Sequence, residues 1–369
     1  MTEKKKVVRL GILTGGGDCP GLNAVLRAAA KTALVRHSLE VVGFFDGYEG
    51  LIHDRARKLD YESVSGILTV GGTILGTSNR ANPFAYPAGR GRNARFEDVS
   101  ERVAETYRRR ELDGVVIVGG DGTLSIAAQL AERWGINVVG IPKTIDNDLP
   151  GTDYTVGFFT AVDTAAEAID KIHDTAQSHH RVMIVEVMGR NAGWLALYAG
   201  LASGGDVILI PEIPYDVECI AERVRWRSRR GKRFTIIVVA EGARARGEDM
   251  VVLERVRDKS ESRRLGGIGY VLEEQLKKVV DVEIRTTILG HVQRGGSPCT
   301  FDRVLATCFG KLAGDLAAAG RFGFVTVVKG RDILPLPLRE ATGRQRLVEP
   351  DDPLIAAVLS TGGSMGVEE

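Results

Sequence analysis

Seven short runs of β-branched and aliphatic residues recur along the chain, each closed by a glycine-rich or turn-forming segment: "VVRLGILTGGGD", "VVGFFDGYEG", "DGVVIVGGDGT", "INVVGIPKTID", "RVMIVEVMGR", "DVILIPEIPYD" and "KRFTIIVVAEGA". The runs are continuously apolar, which is the pattern of strands covered on both faces, and so they predict a parallel sheet of βαβ units. Helical periodicity over residues 21–36, 123–135 and 159–177 supplies covering helices, each opening on a glycine or threonine turn. The fold class expected is therefore α/β. A chain of 369 residues is long for a single core, so two domains are expected. Open parallel sheets bind ligands beyond the carboxyl ends of their strands, so function is sought in the strand-end loops. Residues 334–353, rich in proline and charge, are the stretch whose packing is hardest to foresee.

Charge and cysteine usage exclude several classes. With 49 Lys and Arg against 48 Asp and Glu, the net charge is +1, so no global attraction to nucleic acid or anionic lipid is expected. The longest apolar runs are too short to cross a bilayer. Cys19, Cys219, Cys299 and Cys308 show no paired metal-ligand spacing, and "MTEKKKVVRLGIL" goes from a basic start directly into a strand pattern, which predicts a cytoplasmic protein. The run "WRSRRGKRF" (226–234) reads as a solvated helix face leading into a strand, with local phosphate binding as the alternative.

Three stretches carry chemistry. In "GILTGGGDCPGLN" (11–23) a strand enters near-free backbone ahead of a helix start with Pro20 and Gly21, a place where bare amides accept a phosphate. In "VVIVGGDGTLSIAAQL" (115–130) the glycines Gly119, Gly120 and Gly122 let backbone approach a phosphate chain, and Asp121 offers an oxygen suited to Mg²⁺. The plainer alternative is a βα turn with an N-cap aspartate. In "IPKTIDNDLPG" (141–151) residues two apart would share a face if the chain is extended, aligning Thr144, Asp146 and Asp148 at roughly 7 Å spacings with Ile145 and Asn147 turned away. Like charges so aligned need an opposite charge or a task. An Asp/Asn-rich turn between Pro142 and Pro150 is the alternative.

"GGDGT", taken with "TIDNDLPGTDYTVGF", "VEVMGRNAG", "VVAEGA" and "LGHVQRGGSP", resembles the 6-phosphofructokinase family, in order from about Gly11 to Gly330. The resemblance implies two Rossmann-like domains with mainly parallel sheets and the active site in the interdomain cleft. Residues 1–157 and 293–343 would bind nucleotide; residues 158–292 and 344–369 would bind sugar phosphate. It further implies that Asp146 is general base on the sugar's 1-hydroxyl, that Asp148 supports it and the metal, and that Thr144 contacts the transferring group. Phosphoryl transfer needs an in-line acceptor, a proton-accepting carboxylate and cations around the migrating group, which suits these residue types. Sugar contacts carry over onto Ile145, Arg181, Met188, Gly189, Arg190, Glu241, Arg285, His291 and Arg294, with arginine forks matching phosphate oxygens. Of these, Arg181 and Arg285 fall where the family reaches across from a neighbouring subunit, implying a homo-oligomer, a tetramer by analogy with a dimer as the alternative. Nucleotide contacts carry over onto Gly16, Phe45, Arg80 and Gly119–Thr123, with Mg²⁺ at Asp121. Phe45 stands where a tyrosine is common, and "GTSNRANPF" (76–84) carries an extra residue ahead of Arg80.

The family divides by phosphoryl donor. Gly122 matches ATP-using members, since an aspartate there would exclude the nucleotide's α-phosphate by volume and charge, while Lys143 resembles pyrophosphate users but attracts either donor. The combination resembles the ATP-dependent members of the mixed-substrate branch, so ATP is the expected co-substrate and pyrophosphate the alternative. Further alternatives are an NAD or lipid kinase and a non-catalytic sugar-phosphate-binding regulator. Arg27, Lys31, Arg55, Arg230 and Lys232 fall near positions where bacterial relatives bind effectors, with His173 replacing an arginine. "GGSMG" (362–366) fits G-x-S-x-G, but too few residues follow to complete a hydrolase triad.

Overall fold

The computed structural model describes residues 7–88, 95–254 and 264–368. The basic residues at the extreme N-terminus lie outside them. In chain order the strands are β1 Arg9–Thr14, β2 Glu40–Phe44, β3 Ala56–Leu59, β4 Tyr86–Ala88, β5 Arg95–Glu97, β6 Gly114–Gly119, β7 Val138–Pro142, β8 Val182–Val187, β9 Val207–Leu209, β10 Thr235–Ala240, β11 Val252–Glu254, β12 Arg264–Leu265, β13 Ile284–Ile288, β14 Phe324–Lys329 and β15 Asp332–Pro337. The helices are α1 Leu22–Lys31, α2 Tyr48–Ile52, α3 Ser100–Arg109, α4 Asp121–Trp134, α5 Phe158–His179, α6 Trp194–Ala202, α7 Val217–Arg229, α8 Ile268–Leu276, α9 Thr300–Ala318 and α10 Pro353–Ser360. The helix expected over 21–36 runs to Lys31 and finishes in a π-helical turn, Thr32–Arg36.

The chain forms two compact units. Unit 1 comprises residues 1–144, 149–159 and 294–345; unit 2 comprises 145–148, 160–293 and 346–369. Unit 1 holds a seven-stranded sheet in the order β15-β14-β7-β6-β1-β2-β3. Its central strands β14, β7, β6, β1 and β2 are parallel, and β15 and β3 pair antiparallel at the two edges. Every residue of β6 and β7 is buried, as their continuous apolar sequences require. On one layer, Val115 and Ile117 of β6 join Tyr48 of α2, Val103 of α3 and Leu124, Ala127 and Leu130 of α4 in a single core. Helices α1 and α9 pack along each other and against β1, β6 and β7.

Unit 2 holds a four-stranded, wholly parallel sheet in the order β13-β8-β10-β9. Its core gathers Ile184, Leu209 and Ile237 from the strands with Ile220 and Val224 of α7 and Leu272 and Leu276 of α8. All four strands of this sheet run one way, so each of its strand-end loops belongs to either a carboxyl end or an amino end. That division sorts the candidate site residues of this unit into two groups.

Candidate active site

In unit 1, β1 lies between β2 on one side and β6 on the other, so the connections from β1 and β6 diverge at a topological switch point, where open sheets of this kind leave a crevice. The two loops flanking it are Gly15–Gly17 after β1 and Gly120–Thr123 after β6. They pack on each other through Thr123. A Cβ on Gly15 would stand 2.8 Å from the Thr123 methyl, and one on Gly119 would collide with the Thr123 Cβ. These glycines are needed for the close approach of the two loops. Tyr48 fixes the far side of Thr123, its hydroxyl donating to the Thr123 carbonyl at 2.7 Å.

Asp121 is the first residue of α4 and Gly120 is its N-cap, so the N-cap reading of Asp121 is corrected. Its carboxylate is aimed elsewhere: Oδ1 accepts from the Gly343 amide at 3.1 Å and from the Ser125 hydroxyl at 3.3 Å. The amides of Asp121, Gly122 and Thr123 head α4, where no preceding turn supplies acceptors, and the end of the helix favours an anion. Gly122 is exposed, and a Cβ on it would meet nothing within 4 Å.

The Gly15–Gly17 loop differs from expectation. Its amides are not all bare: Gly15 donates to the Val118 carbonyl at 2.9 Å and Gly16 to the Ser78 carbonyl at 3.1 Å. Helix α1 begins at Leu22, so Pro20 and Gly21 precede it and do not form its first turn. The Ser78 contact brings the loop carrying Arg80 onto Gly16, since the Arg80 amide bonds the Ser78 hydroxyl at 3.2 Å. Phe45 directly follows β2, partly exposed, with the Arg57 guanidinium 5.8 Å from its ring centre. Lys143 follows β7; it is only 3% exposed, and its ammonium donates to the Gly17 carbonyl. The Arg294 guanidinium donates to the next carbonyl, that of Asp18, at 3.0 Å. Gly16, Phe45, the Gly119–Thr123 loop, Lys143 and Thr144 thus all stand at carboxyl ends of parallel strands in unit 1.

The chain enters unit 2 at Ile145 and leaves it after Asp148. This stretch is not extended. It bends, with Asn147 in the left-handed region at φ 52°, so the aligned Thr144, Asp146 and Asp148 expected from period two are not formed. Ile145 and Asn147 are fully buried, Asp148 is 9% exposed, and Thr144 and Asp146 stay partly open. The two carboxylates are therefore unequal, and Asp146 is the accessible one. The Asp148 carbonyl accepts from the Arg346 amide at 2.7 Å, and the Thr144 carbonyl accepts from the Thr155 hydroxyl at 2.7 Å.

In unit 2, Met188, Gly189 and Arg190 follow β8, Glu241 follows β10, and residues 290–293, with His291 exposed, follow β13. Backbone bonds stitch these carboxyl-end loops together. Glu241 donates from its amide to the Val187 carbonyl at 2.9 Å and Gly242 to the Gly189 carbonyl at 3.2 Å. Arg181 and Arg285 do not join them. Arg181 precedes β8 and Arg285 is the second residue of β13, both at the amino end of the sheet. There they converge on Glu283, which accepts from Arg181 Nε at 2.7 Å and pairs with Arg285 Nη2 at 2.5 Å. The Arg181 bond, reinforced by both positive charges, holds the Glu283 carboxyl below its ordinary range.

The phosphofructokinase family model matches residues 9–317. The chain belongs to the phosphofructokinase family. It is 47% identical over 96% of its length, and 98% of the other chain, to the "ATP-dependent 6-phosphofructokinase 2" of Clostridium perfringens. It is 46% identical over 93% of its length, and 97% of the other, to the "Pyrophosphate--fructose 6-phosphate 1-phosphotransferase" of Streptomyces coelicolor. Among solved structures, the phosphofructokinase of Saccharomyces cerevisiae matches with a TM-score of 0.75 and 31% identity over 90% of this chain, which spans 45% of that longer one.

Several residues with a part in this phosphofructokinase fold escaped the sequence reading. Gln293, fully buried inside "HVQRGG", accepts from the Met188 amide at 3.3 Å and donates to the Gly290 carbonyl at 2.9 Å, latching the loops after β8 and β13 together. A glutamine between the two residues chosen as ligands was its only signal. Glu212 accepts the Gly193 amide at 2.9 Å and the Val348 amide at 3.0 Å, and burial pushes its carboxyl up. Among the cations considered for effectors, Lys31 donates to Ser65 and lies over the Tyr61 ring, Arg55 pairs with Asp46, and the His173 ring is bonded to the Ser203 carbonyl. Ser364 of "GGSMG" is buried and accepts from the Gly366 amide, a turn contact.

Proposed function

We infer that the protein is an ATP-dependent 6-phosphofructokinase, transferring the γ-phosphoryl group of ATP to the 1-hydroxyl of fructose 6-phosphate to give fructose 1,6-bisphosphate and ADP in glycolysis. Family membership carries the reaction, and open Gly122 carries the donor. At the head of α4 an exposed position without a side chain leaves room for a nucleotide's α-phosphate, whereas a carboxylate there would repel it. Lys143, with its ammonium among the phosphate-loop carbonyls, and the Streptomyces relative's name are what favour pyrophosphate as the second reading.

Each residue of the site has a share in the reaction. Asp146, the open carboxylate of its pair, takes the proton of the 1-hydroxyl as the hydroxyl oxygen bonds to the γ-phosphorus and the bond to ADP breaks. Arg190 and Thr144 stabilise the migrating group; Ile145 and Asp148 hold the segment in place. Glu241, Met188, Gly189 and His291 bind the sugar, and Arg294 its phosphate. Phe45, Gly16, Arg80 and Gly119–Thr123 bind ATP.

The residues present fit Mg²⁺ at Asp121. One carboxylate oxygen accepts from two donors, and the other would be offered to a hard cation that prefers oxygen ligands. When bound, Mg²⁺ offsets the negative charge of the donor's phosphates.

Arg181 and Arg285 point to assembly. The six residues of β8 separate them from Met188 by roughly 20 Å, so they would serve the sugar site of a second copy, making the enzyme a homo-oligomer. Location in the cytoplasm accompanies the glycolytic role. The test is purified protein with fructose 6-phosphate, Mg²⁺ and either ATP or pyrophosphate. Turnover with ATP supports the reading, turnover with pyrophosphate alone overturns the donor, and turnover with neither overturns the reaction.

A further inference from the structure

The phosphate loop at the head of α4 lacks a cation of its own. Its sequence, "GGDGT", contributes a carboxylate and no lysine, so the charge facing a polyphosphate must come from other segments. Two cations of unit 1 near the crevice are engaged with backbone, Lys143 on the Gly17 carbonyl and Arg294 on that of Asp18.

Another is delivered by the C-terminal part of unit 1. The 3₁₀ turn Leu338–Ala341 buries Leu338 and Ala341 in the same core as Leu124, Ala127 and Leu130 of α4. Residues 342–344 are thereby held in a fixed position relative to that helix. The Thr342 hydroxyl closes the turn on the Leu338 carbonyl at 3.2 Å. Gly343 then adopts φ 81°, a conformation that glycine takes without strain, and its amide reaches Asp121 Oδ1 at 3.1 Å, 222 positions away in sequence. Arg344 comes next. Its Cα is one peptide, about 3.8 Å, from that of Gly343; its side chain is exposed, and among the described residues it pairs with no carboxylate.

We propose that Arg344 is a ligand for the phosphates of the donor nucleotide, carried to the head of α4 by the bond between Gly343 and Asp121. A guanidinium fork suits two phosphate oxygens, and an exposed arginine beside a carboxylate-bearing phosphate loop supplies the positive charge that the loop omits. The inference rests on ATP being the donor.

The experiment compares wild-type enzyme with Arg344→Gln, Arg344→Lys and Arg339→Gln in steady-state kinetics, with equilibrium titration of ADP as a second measurement. Arg339 sits on the same turn, exposed and 3.6 Å from Glu132, and controls for bulk charge. The expected result is a rise of about tenfold in the ATP KM and in the ADP Kd for Arg344→Gln. The fructose 6-phosphate KM should be unmoved, Arg344→Lys should recover part of the loss, and Arg339→Gln should match wild type. An Arg344→Gln enzyme within twofold of wild type in both ATP KM and ADP Kd overturns the proposal, as does an equal effect from Arg339→Gln. A wild-type protein inactive with ATP would instead remove the donor reading beneath it.

Discussion

Replacing Gly122 with aspartate separates donor choice from folding, because the structure predicts opposite signs for the two. Gly122 is the second residue of α4, outside the left-handed region, exposed and with nothing within 4 Å of a built Cβ. A side chain there causes no clash. Exchanging glycine for aspartate in a helix recovers a few tenths of a kcal/mol in propensity, and a carboxylate in the first turn adds about 0.3–1 kcal/mol through the helix dipole. The variant should therefore melt at or slightly above the wild-type temperature. Bound ATP meets the same carboxylate as a repulsion. Unit charges about 5 Å apart at an effective dielectric near 20 interact by about 3 kcal/mol, which at about 1.4 kcal/mol per decade is roughly a 10²-fold rise in the ATP KM. A coupled assay of fructose 1,6-bisphosphate formation reads that rise, the fructose 6-phosphate KM should stay within about twofold, and added salt should shrink the penalty because the position is exposed. An unchanged ATP KM in a well-folded variant would refute the charge argument for donor selection; a melting temperature lowered by many degrees would refute the claim that the position is sterically open.

Asp146→Asn should lower kcat by at least about 10²-fold with little change in the ATP KM, as loss of a general base does; retained turnover in steady-state assays would remove Asp146 from that role. Glu186, buried in β8, accepts the Gly267 and Gly269 amides at 2.9 and 2.8 Å, and Glu186→Gln turns one acceptor toward a donor, costing about 1–3 kcal/mol in urea unfolding. Because burial raises the Glu186 carboxyl in the folded state, its contribution is fully present below the ordinary carboxylate range and declines as pH rises through the raised value. The stability gap between wild type and variant should accordingly narrow from pH 4 to pH 7. Burial pushes the Cys19 thiol up to about 12, so at pH 8 it should stay neutral and resist iodoacetamide in the native protein while reacting after unfolding, as peptide mass spectrometry would show.

The strands and loops that position this site were legible because their signals are local. A continuous apolar run followed by glycines marks a buried parallel strand and its carboxyl-end turn wherever it occurs, and "VVIVGGDGT" and "RVMIVEVMGR" form such strands here, β6 and β8. The order of strands was not legible, because periodicity records which face a residue takes and not which strand lies beside it. Only the tertiary structure set β1 between β2 and β6 and so brought two glycine loops together over Thr123. The bend at Asn147 fits the Asp/Asn-rich turn that the residues offered as an alternative, and only the tertiary structure decided between that turn and an extended segment. Residue chemistry by itself marked Asp121 and Asp146 as groups to consider, and the family resemblance singled out which arginines to set beside them. Their partners, Gly343 for Asp121 and Glu283 for Arg181, lie 222 and 102 positions away, and were decided by where the packed core turns the chain.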